Sequence, residues 1–171
     1  MRASGATQAG FNSSHERRAW VCGRTCATTV SDEHGTSNPD VLATVSDIDV
    51  IEDDWNGLDS LVLLGTYRDG TITLYREQIR DVATANDVPV CQLIEATLAH
   101  ELGHCLVDLS EIDSPQTQRW RNVAESFLGI DSRPKAIHEA AANGFCFALL
   151  ESRFETSPLF DCPEILSSPS D

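Results

Sequence analysis

The stretch Ala96–Asp108, ATLAHELGHCLVD, decides how the rest of this chain is read. It sets two histidines, His100 and His104, around a glutamate, Glu101, in an otherwise apolar run. Four residues of α-helix advance about 400°, so the two imidazoles leave one face a single turn apart, with Glu101 about 100° round from His100. Imidazoles so placed can meet one metal ion at roughly 2.0–2.1 Å. Zinc lowers the pKa of a bound water from about 15.7 to about 7, and a carboxylate beside it can take the proton. The bland reading is a pair of core histidines. It leaves two imidazoles and a carboxylate on an apolar helix with no basic partner, and burying such groups unpaired costs kilocalories. The pattern therefore predicts one Zn2+ per chain, with His100 and His104 as ligands and Glu101 as the general base.

The flanking residues supply the helix. Asp87 is a candidate cap and Pro89 suits a first turn. Val90, Leu93, Ile94, Thr97, Leu98, Leu102 and Cys105 then recur at three- and four-residue spacing, and the helix must end before Pro115. Upstream, Ser60–Tyr67 and Thr71–Tyr75 are β-type runs, and the Asp69-Gly70 pair between them predicts a hairpin turn. The segment VLATVSDIDVIED reads equally as strand or short helix. Residues 1–39, rich in Gly, Ser, Thr and Asn, are expected to be a flexible N-terminal arm, residues 40–157 the domain, and residues 158–171 an irregular tail. TQRWRNVAESFLG suggests a short helix with Trp120, Val123 and Phe127 inward. Asp131 or Ser132 would cap a final helix, Pro134 in its first turn, packing through Ile137, Ala140, Ala141, Gly144, Phe145, Ala148 and Leu149.

A catalytic zinc needs a third protein ligand and an open fourth position. The candidates are Asp108, Glu111, Asp113, His138 and Glu139. A third histidine six residues past the motif is ruled out by Ser110, and the Gly and Asp of a shorter pattern are replaced by Val107 and Ser110. Glu139 and Asn143 stand one turn apart on the last expected helix, with small alanines between. There Glu139 can bind the metal while Asn143 bonds back to a ligand histidine. His138 is an alternative ligand or an oxyanion donor, and Tyr75 and Tyr67 are further oxyanion candidates. Cys22 and Cys26, with His15 and His34 nearby, are two loosely placed thiols and weak grounds for a second metal.

With 27 acidic residues against 12 basic ones, the formal net charge is -15, and Lys135 is the sole lysine. Such a surface repels nucleic acid and anionic membrane, and it favours neutral or basic peptide partners. No apolar run approaches the ~18 residues of a membrane span. The N-terminal residues lack the apolar core of a signal peptide, so a cytoplasmic protein with reduced cysteines is expected.

ITLYREQI, then LAHELGH, then the E-x-x-x-N-x-F-x-x-x-LL pattern from Glu139 to Leu150 together resemble the ImmA/IrrE type of small gluzincin metallopeptidase. The likeness covers roughly residues 60 to 150. Many such sequences carry a Glu two residues before the Asn, where Ala141 stands here. The acidic residue stands four before, as in the wider gluzincin pattern. The resemblance implies an α+β, zincin-like fold, a small antiparallel sheet packed on the HExxH helix and a C-terminal ligand helix. It implies His100, His104 and Glu139 as ligands, Glu101 as base, and Thr71, Ile72, Thr73, Leu74 and Tyr75 as the sheet edge along which an extended peptide pairs. It further implies limited proteolysis of a peptide or protein partner. The usual helix-turn-helix partner domain is not evident, so a regulatory role would require a separate protein. The alternative is a catalytically silent zincin-fold module that binds a partner.

Overall fold

Ser13 and Glu16 begin the first element. The Ser13 hydroxyl accepts the Glu16 backbone N–H, capping helix α1 (Ser14–His34), and Gly35, in the left-handed region at φ 64°, ends it by donating to Ser31. The structure, a computed structural model, describes residues 13–55, 62–110, 135–151 and 153–154. The flexible arm expected over residues 1–39 therefore does not hold for Ser14–His34. These residues form a 21-residue helix that buries Ala19, Gly23 and Ala27, a stripe of small side chains at four-residue spacing.

The ambiguous segment after Pro39 contains both elements. Asn38 caps helix α2 (Pro39–Val45) by accepting from Asp40 and Val41, and strand β1 (Asp49–Asp53) follows. Strand β2 (Gly65–Arg68) and strand β3 (Thr71–Tyr75) then form the expected hairpin. Asp69 at φ 50° and Gly70 at φ 83° turn between them, as a two-residue hairpin loop requires. β2 begins later than the apolar run suggested, at Gly65.

The sheet order is β1-β3-β2. β2 pairs antiparallel with β3, while β1 pairs parallel with it, Asp49 opposite Thr71 through Asp53 opposite Tyr75. The sheet is thus mixed, not antiparallel throughout, and β3 is its central strand. The expectation that Thr71–Tyr75 forms an edge is corrected by this, because both sides of β3 are already hydrogen-bonded.

Helix α3 (Arg76–Ala85), which sequence reading did not predict, follows β3 directly and buries Gln78, Ile79 and Ala83. Helix α4 (Val90–Leu106) carries the HELGH motif. Its N-cap is Pro89, without a side-chain bond, and the expected cap Asp87 instead sits at φ 55° in the turn before it. Helix α5 (Lys135–Leu150) is the last described helix. The predicted TQRWRNVAESFLG helix, the caps Asp131 and Ser132, Pro134 and the tail lie outside the described residues.

The described elements stack in the order sheet, α4, α5, α1. Alternation along β3 turns Ile72 and Leu74 toward α4, and they join Leu93, Leu98, Leu102, Phe145 and Leu149 in one core. Each leucine buried there contributes roughly 1.5–3 kcal/mol relative to exposure. α4 is enclosed on every side from Ala96 to Gly103, so its polar groups must be satisfied inside the protein. At Gly103 a Cβ would stand 2.8 Å from Ala142 Cα, and at Gly23 it would strike the Ala141 carbonyl oxygen. The two glycines let α5 lie close against α4 on one side and α1 on the other.

Candidate metal centre

The close approach of α4 and α5 brings His100 and His104 against Glu139 and Asn143. His100 Nδ1 is 3.1 Å from Asn143 Oδ1. An amide oxygen only accepts, so His100 donates from Nδ1–H and presents an Nε2 lone pair on its other side. That Nε2 is 3.1 Å from His104 Nε2 and 3.3 Å from Glu139 Oε2, while His104 Nε2 is 3.7 Å from Glu139 Oε1. The two rings meet edge to face, 84° apart with centroids 4.7 Å distant.

One donor atom from each of His100, His104 and Glu139 lies within 4.8 Å of the others, the sole such group of three or more potential ligands among the described residues. Glu139 Oε2 is buried with no hydrogen-bond donor. Three converging lone pairs and an orphaned carboxylate oxygen fit a cation, and two nitrogens with one oxygen fit zinc. These residues could hold such an ion.

The electrostatics agree with that fit. Burial lowers the His104 imidazole to about 4, the charge of His100 adding to the effect. At neutral pH its nitrogen is therefore an unprotonated donor. Burial works to raise the Glu139 carboxyl, but the close approach of His100, 3.3 Å away, and the fields of His104 and Lys135 outweigh it and hold the group below its ordinary range. Glu139 is accordingly an anion.

Glu101 lies beside this group, under β2. Burial pushes its carboxyl up, His100 opposes this, Glu139 reinforces it, and a hydrogen bond from the Tyr67 backbone N–H opposes it again. The bond follows from the ladder. Tyr75 N–H reaches the Leu64 carbonyl, so alternation turns the Gly65 and Tyr67 backbone groups away from β3, toward Glu101. Gly65 permits this fit, since a Cβ there would stand 2.9 Å from Thr97 Cγ2 and 3.0 Å from Glu101 Cγ. The Tyr67 ring faces α4, and its hydroxyl bonds the Cys105 sulfur. The Cys105 thiol donates to the Glu101 carbonyl at 3.1 Å, and burial with the Glu101 charge pushes it up to about 12.

Other candidates lie elsewhere. Tyr75 is corrected as an oxyanion donor. It stands on the sheet face opposite Leu74, its hydroxyl 3.3 Å from Thr66 Oγ1 and its ring 5.2 Å from Trp55. His138 is close enough for its charge to act on His104 but is not one of the three converging donors. The Asp108 carboxylate accepts from Ser110 N–H and Oγ–H, away from the cluster. Glu111 and Asp113 lie outside the described residues. Cys22, Cys26, His15 and His34 form no group of three donors. Sequence reading missed Gly65, Gly103 and the Tyr67 amide, although the alternation of GTYR against TITLY carried the signal for the first and last.

Comparison with protein-family models, curated proteins and solved structures returns no match. Among the described residues, no helix is long and apolar enough to cross a membrane.

Proposed function

We propose that this chain is a zinc-dependent metallopeptidase of the gluzincin type, cleaving a peptide or protein partner at limited sites. One observation carries the reading: two imidazoles and a carboxylate from separate helices converge within 4.8 Å, with Glu101 on the same helix turn. Zinc held by His100, His104 and Glu139 supplies a Lewis acid that acidifies water and polarises a carbonyl.

The chain's own residues do the rest. Asn143 fixes the His100 ring, so that Nε2 and not Nδ1 would be the nitrogen offered to a metal. Glu101 accepts a proton from the attacking water and returns it to the leaving amine. Burial raises its basicity for that task, and the Tyr67 N–H holds the carboxylate in place. An extended substrate would run along β2, whose outward Gly65 groups adjoin Glu101, in place of the β3 edge expected from sequence.

Elemental analysis with a peptide-library assay tests the reading. About one zinc per chain with Glu101→Gln abolishing cleavage while keeping zinc is the expected result. Full retention of a partner-binding activity without cleavage, in wild type and variant alike, would favour the silent module. A wild-type chain that takes up no zinc after reconstitution would end both readings.

A further inference from the structure

Cys22 and Cys26 stand one turn apart on α1 and line a groove of about 720 Å³ with Leu106 and Asp108, just past the His104 turn of α4. Both thiols point at that chain end: Cys22 donates to the Asp108 carbonyl at 3.4 Å and Cys26 to the Leu106 carbonyl at 3.5 Å. The Cys26 thiol is raised by burial first, then by the charges of Cys22 and Glu33.

Side chains four apart on a helix have Cβ atoms about 5–6 Å apart, wider than the roughly 3.5–4.5 Å of a disulfide. A metal bridges that gap more easily, since two sulfurs each at about 2.3 Å from one ion stand up to about 4.6 Å apart. No third His, Cys, Asp or Glu joins them among the described residues. His15 and His34 lie near opposite ends of α1, roughly 28 Å apart at 1.5 Å per residue. Zinc, which seeks four ligands in a structural site, is poorly served. A soft monovalent cation is satisfied by two thiolates. The resulting complex carries one net negative charge, and Arg17 and Arg18 line the same groove.

We propose that Cys22 and Cys26 form a dithiol clip for a soft monovalent cation of the copper(I) class, a site separate from the His100–His104–Glu139 centre. Binding breaks two S–H bonds, releases two protons to solvent and forms two sulfur–metal bonds with no change of oxidation state. The hydrogen bonds to Leu106 and Asp108 are given up in exchange.

The test is an anaerobic titration of the full chain with copper(I) held by a competing chelator, followed by X-ray absorption at the copper edge. The wild type should bind one copper with two sulfur neighbours. Cys22→Ser and Cys26→Ser should each lose tight binding while keeping the wild-type circular dichroism, and Cys91→Ser and His104→Ala should retain it. Nitrogen neighbours around copper, binding that survives both serine variants, or a folded wild type that binds none would each overturn the proposal.

Discussion

Asn143 Oδ1 accepts from His100 Nδ1–H across 3.1 Å, joining α5 to α4 and choosing which imidazole nitrogen faces Glu139. The bond sets a tautomer as well as an angle. Asn143→Ala should weaken zinc binding about 10- to 100-fold with little change in secondary structure, read by competition titration. Unchanged affinity would mean that the ring is held by packing alone.

Zinc should stabilise the fold. At a free concentration one hundred times its Kd, a ligand specific to the folded state adds about 2.7 kcal/mol. Thermal melts of the wild type should rise by several degrees with zinc and fall back with chelator, whereas Glu139→Ala should show no such rise.

Acid should destabilise the metal-free protein in a defined window. His104 stands at about 4 when folded against 6.5 ordinarily, chiefly through burial and then the charge of His100. Between those values the unfolded chain binds a proton that the folded site refuses. Stability therefore falls as pH drops through the window, by on the order of 2–3 kcal/mol. Glu139, held low, adds a further loss as pH falls below its ordinary carboxylate range. Urea melts across the window check this, and His104→Ala should flatten the slope.

Gly103→Ala opposes two effects. Alanine gains about 1 kcal/mol in helix propensity over glycine. Its Cβ, however, would lie 2.8 Å from Ala142 Cα and 3.1 Å from Phe145 Cβ. The nearest neighbour is backbone and cannot rotate away, so overpacking at the upper end of about 1–3 kcal/mol wins. The net loss should be roughly 1–2 kcal/mol by chemical denaturation.

Gly65→Ala tests the β2 edge. The added carbon would press on Thr97 and Glu101 and lift the strand from the carboxylate. If the peptidase reading holds, cleavage should drop about 10- to 100-fold while zinc content stays at the wild-type level. Equal loss of both would place Gly65 in the stability of the ligand helix instead.

The HELGH helix, the Asp69-Gly70 turn and the placement of Glu139 and Asn143 one turn apart on a helix were legible because each is a local pattern: a helical period, a turn dipeptide, a four-residue spacing. The α1 helix was hidden by its composition. Its polar residues and small buried stripe read as a loose arm until α5 supplies the surface that Ala19, Gly23 and Ala27 meet. Its punctuation was nevertheless present, in Ser13 with Glu16 at one end and Gly35 at the other. Strand order was not legible at all. The parallel pairing of β1 with β3 joins segments 22 residues apart, from Asp49 to Thr71, and nothing local to Thr71–Tyr75 says that both of its sides are taken.

The hydrogen of Gly103 against Ala142 also bears on ionic radius. The gap between the two ligand helices is closed there by main chain, which cannot swell to admit a larger ion without parting α4 from α5. If His100, His104 and Glu139 hold a metal as proposed, the donor triangle would be a gauge of nearly fixed width, favouring small ions such as zinc over large ones such as calcium. Discrimination by size would then be set by a residue that has no side chain.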